Sequence, residues 1–301
     1  MASQRDVRNK IASVKNIQKI TRAMEMVAAA RLRRAEQRIE ALRPYAEAIG
    51  RMTRQAAEAA GAEASRLPLL NEHESTETVG LLVVTGDRGL AGGFNSQVIR
   101  AAVRASGDLS EQGIGSAWFA SGRRGVSSLA FRGYELSGSY TGFADRPAYA
   151  DARTIADDLV EAYVDGKLDR VEIVFNSYVS PLTQRVSQEQ LLPLSQEAIG
   201  GREGDGEGGE TAGEPRPLVE YEPDPEQILE RLIPDFVEIS IYRALVESAA
   251  GFFGAQMTAM RSASENAGEI ITDYTLQMNR ARQAEITQEI MEVVAGAEGV
   301  S

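Results

Sequence analysis

The sequence predicts an α/β protein. A central Rossmann-like domain with a mostly parallel sheet lies between two long helices, which form an antiparallel coiled coil. Three observations indicate this fold. A helical heptad pattern opens the chain, and a second long helical pattern closes it. Between them, short apolar strands alternate with helical segments, which is typical of a parallel sheet.

The N-terminal segment, residues 1–60, is predicted to be one helix over residues 3–59. Its seam consists of two mostly apolar heptad columns, which indicates a coiled coil. The columns are Val7, Val14, Thr21, Ala28, Ala35, Leu42 and Ile49, and Ile11, Gln18, Glu25, Leu32, Ile39 and Ala46. Such a helix is about 80 Å long, more than a compact domain can hide. We expect Pro44 to bend or restart it.

A second apolar face appears within this helix around residues 14–30. Ile17, Ile20, Met24 and Val27 lie on it, which predicts a second contact surface. Residues 1–55 also carry 13 basic and 5 acidic side chains, a net charge of +8, which leaves −20 for the rest of a chain whose total is −12. No aromatic residue precedes Tyr45 for base stacking, so we expect an acidic protein partner, or the chain's own acidic segments, rather than nucleic acid.

The central α/β domain is predicted over residues 76–196. Its strands are expected at 78–85, 114–120, 134–140 and 171–179, with an additional strand at 183–192. Its helices are expected at 94–113, 123–131 and 147–163. Trp118 falls in a predicted strand and is expected in the core.

A glycine-rich loop follows the first strand. Its residues Gly86, Asp87, Arg88, Gly89, Gly92 and Gly93 suggest a phosphate cradle. The spacing matches neither the P-loop nor the dinucleotide fingerprint. We therefore expect a structural strand-to-helix turn. Asp87 and Arg88 remain candidates for contact with a partner surface.

The chain then passes through an acidic, glycine-rich stretch at 197–220, predicted to be a flexible spacer. The C-terminal segment, 221–301, holds a second helix from about residue 226 to 295, which Pro234 could break near its start. Gly251, Gly254 and Gly268 lie inside it and permit close approach of another backbone.

The end of this last helix mixes polar and apolar side chains on nearly every face. Arg282, Gln283, Thr287 and Glu289 alternate with Ile286, Ile290 and other apolar residues. A helix on the surface of a globule keeps its polar residues on one side. This segment is therefore predicted to make contacts around most of its circumference.

Composition excludes several kinds of site. The chain has no cysteine, so disulfide, thiol and zinc-thiolate chemistry are ruled out. Its one histidine, His73, is expected to be a solvated loop residue. No apolar run reaches the length needed to span a bilayer, and no hydrophobic leader opens the sequence. We expect no cofactor, no metal and no catalytic residue.

Three blocks of sequence resemble the γ subunit of F-type ATP synthases of the bacterial type. They are IASVKNIQKITRAMEMVAAARLRRA at 11–35, GDRGLAGGFN at 86–95 and NRARQAEITQEIMEVVAGA at 279–297, supported by YEPDP at 221–225. The resemblance covers nearly the full length, and the blocks fall in the family's order and spacing.

This resemblance implies a central rotor shaft that performs no bond chemistry itself. The paired terminal helices would stand inside the hexamer of α and β subunits, and the α/β domain would form a foot against the ε subunit and the c-subunit ring. Proton flow would turn ring and shaft, so that each catalytic β subunit changes state in turn, and ATP hydrolysis would reverse the rotation. One copy per complex is implied, at the cytoplasmic face of the bacterial plasma membrane, with membrane contact only through the ring.

The resemblance also implies roles for single residues. Arg282 and Gln283 match shaft positions that meet a loop of the empty β subunit, and Thr287 and Glu289 lie on the same segment. Met24 matches a position facing the acidic lever of β, whereas Tyr221 and Glu222 match the region near the c ring. Ordinary packing between the two helices is the alternative for each of these.

Two departures from the family pattern stand out. Ala91 occupies a position where many relatives have cysteine, so thiol chemistry there is not essential. The regulatory cysteine pair of plastid forms is also absent. Two rival functions remain open: a coiled-coil scaffold or chaperone with an α/β head, and a nucleotide-using enzyme with helical arms.

Overall fold

The structure is a computed structural model that describes residues 4–73, 75–194 and 224–298. The chain divides into two compact units. One consists of Met1–Ala30 with Gln256–Ser301, and the other of Arg31–Ala255. Two long helices, α1 (Gln4–Ala60) and α5 (Pro225–Glu298), contribute to both units.

Both long helices run through their internal prolines. Pro44 lies inside α1 and Pro234 inside α5, so the expected restart of the first helix and break of the second are wrong. Pro44 is exposed, so the carbonyl that loses its amide partner can bond to water. Around Pro234, the buried side chains of Leu232, Ile233 and Val237 hold the helix in place.

In the first unit, α1 and α5 run antiparallel. Arg261 pairs with Glu25 at 2.9 Å, the Gln18 amide donates to the carbonyl of Ser264 at 3.2 Å, and Lys10 lies 5.7 Å from the ring centre of Tyr274. As the residue number falls along α1, that of its contact on α5 rises. The two predicted heptad columns of α1 are buried or half-buried at every position, so both the seam and the antiparallel pairing are confirmed.

The second unit is built on a five-stranded sheet of order β3-β2-β1-β4-β5. The strands are β1 (Thr78–Val84), β2 (Gly115–Ser121), β3 (Leu136–Tyr140), β4 (Arg170–Ser180) and β5 (Thr183–Leu192). All neighbours are parallel except β4 and β5, which form an antiparallel hairpin. The mostly parallel sheet is therefore confirmed, with strand ends close to those expected.

Helices cover both faces of the sheet. On one face lie α2 (Phe94–Glu111) and α3 (Arg123–Phe131), whose buried Val98, Ala102 and Leu129 pack on Leu81 and Trp118. On the other lie α4 (Tyr149–Val164) and the parts of α1 and α5 that belong to this unit. Parallel strands covered on both sides need continuous apolar sequence, which explains the run in β1.

His73 lies in a loop, as expected, but its half-buried side chain packs on its neighbours, so the expectation that it is solvated is wrong. Its Nδ1 lies 2.8 Å from Oδ1 of Asp169, and its ring stacks on Tyr163 with centroids 4.7 Å apart. The other oxygen of Asp169 accepts hydrogen bonds from the amides of Glu77 and Thr78, both at 2.8 Å. Asp169 therefore ties the segment before β1 to the segment before β4.

This tie predicts an acid-sensitive contribution to stability. Partial burial opposes ionisation of Asp169, but the hydrogen bonds from His73 and from the amides of Thr78 and Glu77 outweigh it and lower the pKa of the carboxyl. A pKa lowered by folding stabilises the protein above the unfolded value of about 3.9, and the benefit is lost as pH falls through the folded pKa. We expect Asp169→Asn to cost about 1–3 kcal/mol at pH 7 and less near pH 3. Urea unfolding at both pH values measures this.

Asp165→Asn is the matched control, since Asp165 pairs with Lys167 at the surface and exposed pairs contribute little. Equal losses in the two variants would contradict the role given to Asp169.

Candidate functional site

The glycine-rich loop connects β1 to α2 and closes on itself. The amide of Gly86 donates to Oδ1 of Asn95 at 2.8 Å, and the Asn95 side chain donates to the carbonyl of Arg88 at 3.0 Å. Gly92 has φ +57°, and Gly93 caps the start of α2. A Cβ at Gly89 would lie 2.8 Å from the Arg124 guanidinium. The loop is thus a tight strand-to-helix turn held by local bonds.

Asp87 bonds within its own domain. Its carboxylate accepts from the amides of Arg123 at 3.0 Å, Gly142 at 3.1 Å and Ala144 at 3.1 Å. It therefore joins the start of α3 to the loop between β3 and α4. Arg88 is 64% exposed and lies 3.5 Å from Asp145, so of the two residues it is the one available to a partner surface.

The crevice at the carboxyl ends of β1 and β2 is filled by α5. Phe252, Ser248 and Leu245 of α5 face Thr85, Gly86 and Ser121, and the free space is about 10 Å³, the size of about one water molecule. A Cβ at Gly86 would lie 2.9 Å from Phe252. Open α/β sheets bind nucleotides at such an edge, but here the helix occupies the place of the ligand.

Among the described residues, no cluster of histidine, aspartate or glutamate could hold a metal ion. Within residues 4–73, 75–194 and 224–298, no helix combines the length and the apolar character that crossing a bilayer requires.

The second apolar face of α1 is open in the first unit. Ile17, Ile20 and Val27 are 54, 59 and 53% exposed, and Met24 is half-buried beside them. Exposed apolar side chains grouped on one helix face mark a contact surface. Exposed cations, among them Lys19 and Arg22, occur in the same stretch of the helix.

The end of α5 is exposed around its full circumference. Every residue from Arg282 to Met291 is exposed, which covers more than two helical turns. Gln283 and Thr287 lie one turn apart, where the Thr287 hydroxyl donates to the Gln283 carbonyl at 2.8 Å. Apolar side chains are exposed here too, with Ile290 at 57% and Met291 at 65%. The predicted contact residues Arg282, Gln283, Thr287 and Glu289 thus share one accessible segment.

Tyr221 and Glu222 lie outside the described residues.

A cluster that the sequence did not indicate joins both long helices to β4. The Tyr178 hydroxyl donates to Glu36 of α1, while the Tyr178 amide donates to Glu247 of α5 at 3.3 Å. Glu247 also accepts from the Ser177 hydroxyl at 2.9 Å. Glu36 and Tyr178 are 142 positions apart, and neither residue stands out in its own segment, so only the fold reveals the pair.

Comparison with known proteins places the chain in a family. A family model described as ATP synthase matches residues 3–300. A curated relative named ATP synthase gamma chain, from Rubrobacter xylanophilus, is 44% identical over 301 residues, covering 100% of this chain and 99% of the relative. The protein of the same name from Desulforamulus reducens is 42% identical and covers 99% of both chains.

Solved structures share the fold. A chain in the rotor of the Euglena gracilis mitochondrial ATP synthase has a TM-score of 0.64 and 17% identity, covering 94% of this chain and 98% of that one. A chain from the central stalk and c-ring of the Tetrahymena thermophila enzyme has a TM-score of 0.58 and 22% identity, covering 81% and 99%. By its sequence match over the full length, and with a fold consistent with it, this chain belongs to the ATP synthase gamma chain family.

Proposed function

We propose that this chain is the central-stalk rotor subunit of an F-type ATP synthase. It couples proton flow and rotation of the c ring to the conformational cycle of the catalytic β subunits. The observation that carries the proposal is the exposed end of α5, Arg282 to Met291, combined with full-length similarity to gamma chains. A helix with apolar and charged side chains open on all sides fits a shaft surrounded by partners.

The chain contributes no catalytic group in this proposal. The crevice filled by α5 and the self-contained Gly86–Gly93 loop support a mechanical role. Its partners are the α and β subunits, the ε subunit and the c ring, with one copy in each complex. It sits peripherally at the cytoplasmic face of the bacterial membrane, which it meets only through the ring.

In such a rotary enzyme, the angle of the shaft is coupled to the affinity of each β site. The coupling is the difference in the free energy of the shaft's contacts from one angle to the next. Each β site changes affinity only as far as the shaft's contacts differ from one angle to the next. The contacts must therefore be many and individually weak, because a single strong contact would stabilise one shaft angle and stop rotation. An exposed mixture of apolar and polar side chains on α5 supplies such contacts, and the basic excess of residues 1–55 suits an acidic lever on β.

We assign contact with β to Met24, Arg282, Gln283, Thr287 and Glu289, and contact near the c ring to Tyr221 and Glu222. The loop residues Gly86, Asp87, Arg88, Gly89, Gly92 and Gly93 have a structural role, in which Asp87 holds neighbouring loops together.

The double variant Arg282→Ala with Gln283→Ala is expected to slow steady-state ATP hydrolysis by the assembled complex. Each side chain offers hydrogen bonds of about 1 kcal/mol, more for the charged group, so turnover should fall roughly tenfold or more. Steady-state ATPase of the purified complex measures this, with gel filtration to establish that assembly persists.

The pair Gln277→Ala with Arg280→Ala is the matched control, because it removes the same residue types from exposed positions earlier on the same helix. Normal turnover in the first variant, or equal loss in both, would count against the assigned contacts.

Reconstitution tests the function as a whole. The α and β subunits of the same complex are assayed for ATP hydrolysis with and without the purified chain. We expect the chain to join the hexamer and to raise sustained ATPase. A hexamer that excludes the chain, or whose activity does not respond to it, would overturn the proposal.

A further inference from the structure

We infer that Tyr178 is a positioning residue. It fixes the orientation of each terminal helix, about the helix's own axis, relative to the central domain. The inference rests on the proposed rotor function. A shaft that transmits torque must resist twisting where its helices join the domain that is driven. At this junction, Tyr178 makes directional bonds to both helices.

Tyr178 lies on β4 and contacts both helices through different groups. Its hydroxyl donates to Glu36 of α1, and its backbone amide donates to Glu247 of α5. All three residues belong to the unit Arg31–Ala255. Burial, followed by the bond to Glu36, raises the pKa of the phenol.

Arg243 extends this junction to β5. Its Nη2 donates to Glu189 at 2.6 Å, and its Nη1 lies 3.6 Å from Glu247. One turn of α5 is thereby bonded to both strands of the β4–β5 hairpin. Farther along the helix, a Cβ at Gly254 would lie 2.9 Å from the carbonyl oxygen of Pro181, so the hairpin tip also touches α5 closely.

The chemistry of these bonds suits angular positioning. The hydrophobic attraction between apolar side chains does not depend on direction. Hydrogen bonds to carboxylates are directional and among the stronger ones in proteins. Bonds from one strand to both helices therefore oppose rotation of either helix about its own axis, while the surrounding apolar core supplies cohesion.

Tyr178→Phe tests the inference in the complete ATP synthase in liposomes. The variant removes one hydroxyl and keeps the ring. We expect proton uptake per ATP hydrolysed to fall roughly twofold or more, because the helix can then turn against the strand without driving the domain. Glu36→Ala should match it, and Glu36→Gln, which keeps an acceptor, should restore part of the coupling.

Tyr140→Phe is the matched control. The Tyr140 hydroxyl donates to Asp158 at 2.6 Å, and this bond joins β3 to α4 and involves neither long helix. Thermal unfolding should show similar stability losses in the two phenylalanine variants, whereas only Tyr178→Phe should lower the pumping ratio. A bead on the central domain should also fluctuate over a wider angle in the paused Tyr178→Phe rotor than in the Tyr140→Phe rotor.

Equal pumping ratios and equal fluctuations in the two variants would overturn the inference and leave the rotor function standing. A wild-type chain that fails to support sustained ATPase would instead overturn the proposed function itself.

Discussion

Met24→Lys is expected to impair coupling while the complex still assembles and hydrolyses ATP. Met24 is half-buried on α1 among exposed Ile17, Ile20 and Val27, and the proposal places this face near an acidic lever of β. An ammonium group 4 Å from a carboxylate gains about 4 kcal/mol at an effective dielectric constant of 20. If only a quarter of this free energy, about 1 kcal/mol, favoured one shaft angle, the time spent at that angle would change about fivefold. Proton uptake per ATP hydrolysed should therefore fall to about half or less.

Met24→Gln separates the effect of the added charge on coupling from the effect of losing the thioether. Glutamine is polar and similar in length but carries no charge, so we expect it to leave the pumping ratio close to that of the wild type. Raising the ionic strength should partly rescue the lysine variant, because salt screens partly exposed charges. An unchanged pumping ratio in Met24→Lys would remove Met24 from the assigned contacts.

Gly122→Ala is expected to have the largest effect on stability. Gly122 has φ +92°, and a Cβ there would lie 2.1 Å from the carbonyl oxygen of Thr85. Thr85 cannot move away, since its amide and its hydroxyl both donate to the Ser121 carbonyl and its hydroxyl accepts from the Gly125 amide. We expect a loss of about 3–5 kcal/mol, a large part of the stability of a typical domain. Urea unfolding of the full chain measures it.

Gly133→Ala provides the comparison for backbone strain alone. Gly133 has φ +86°, and a Cβ there would meet no heavy atom within 4 Å. Its substitution should cost only about 1 kcal/mol. Similar losses at the two positions would mean that the contact with Thr85 is not what makes Gly122 necessary.

Much of the fold could be predicted because it follows from local periodicity. The heptad columns from Val7 to Ile49 identify the buried side of α1, and the apolar run at 78–85 identifies a strand covered on both faces. The glycines at 86–93 predict the turn into α2. Each of these signals lies within a few residues of the structure that it specifies.

The errors concern residues whose environment depends on distant parts of the chain. Pro44 and Pro234 carry strong local breaking signals, but packing of the neighbouring turns outweighs them. His73 stands in a polar loop, and Asp169, the partner that holds its side chain, lies 96 positions away. The Tyr178–Glu36 pair is hidden for the same reason. The contact roles of Met24 and of Arg282 to Glu289 stay predictions, because they concern surfaces of other subunits.

Direct observation of rotation tests the central claim. The chain is assembled with the α and β subunits of its complex, the hexamer is fixed to a surface, and a bead is attached to the central domain. With ATP present, we expect the bead to turn stepwise in one direction, and to stop when ATP is removed. A bead that shows only random angular motion while the same complexes hydrolyse ATP would contradict the account.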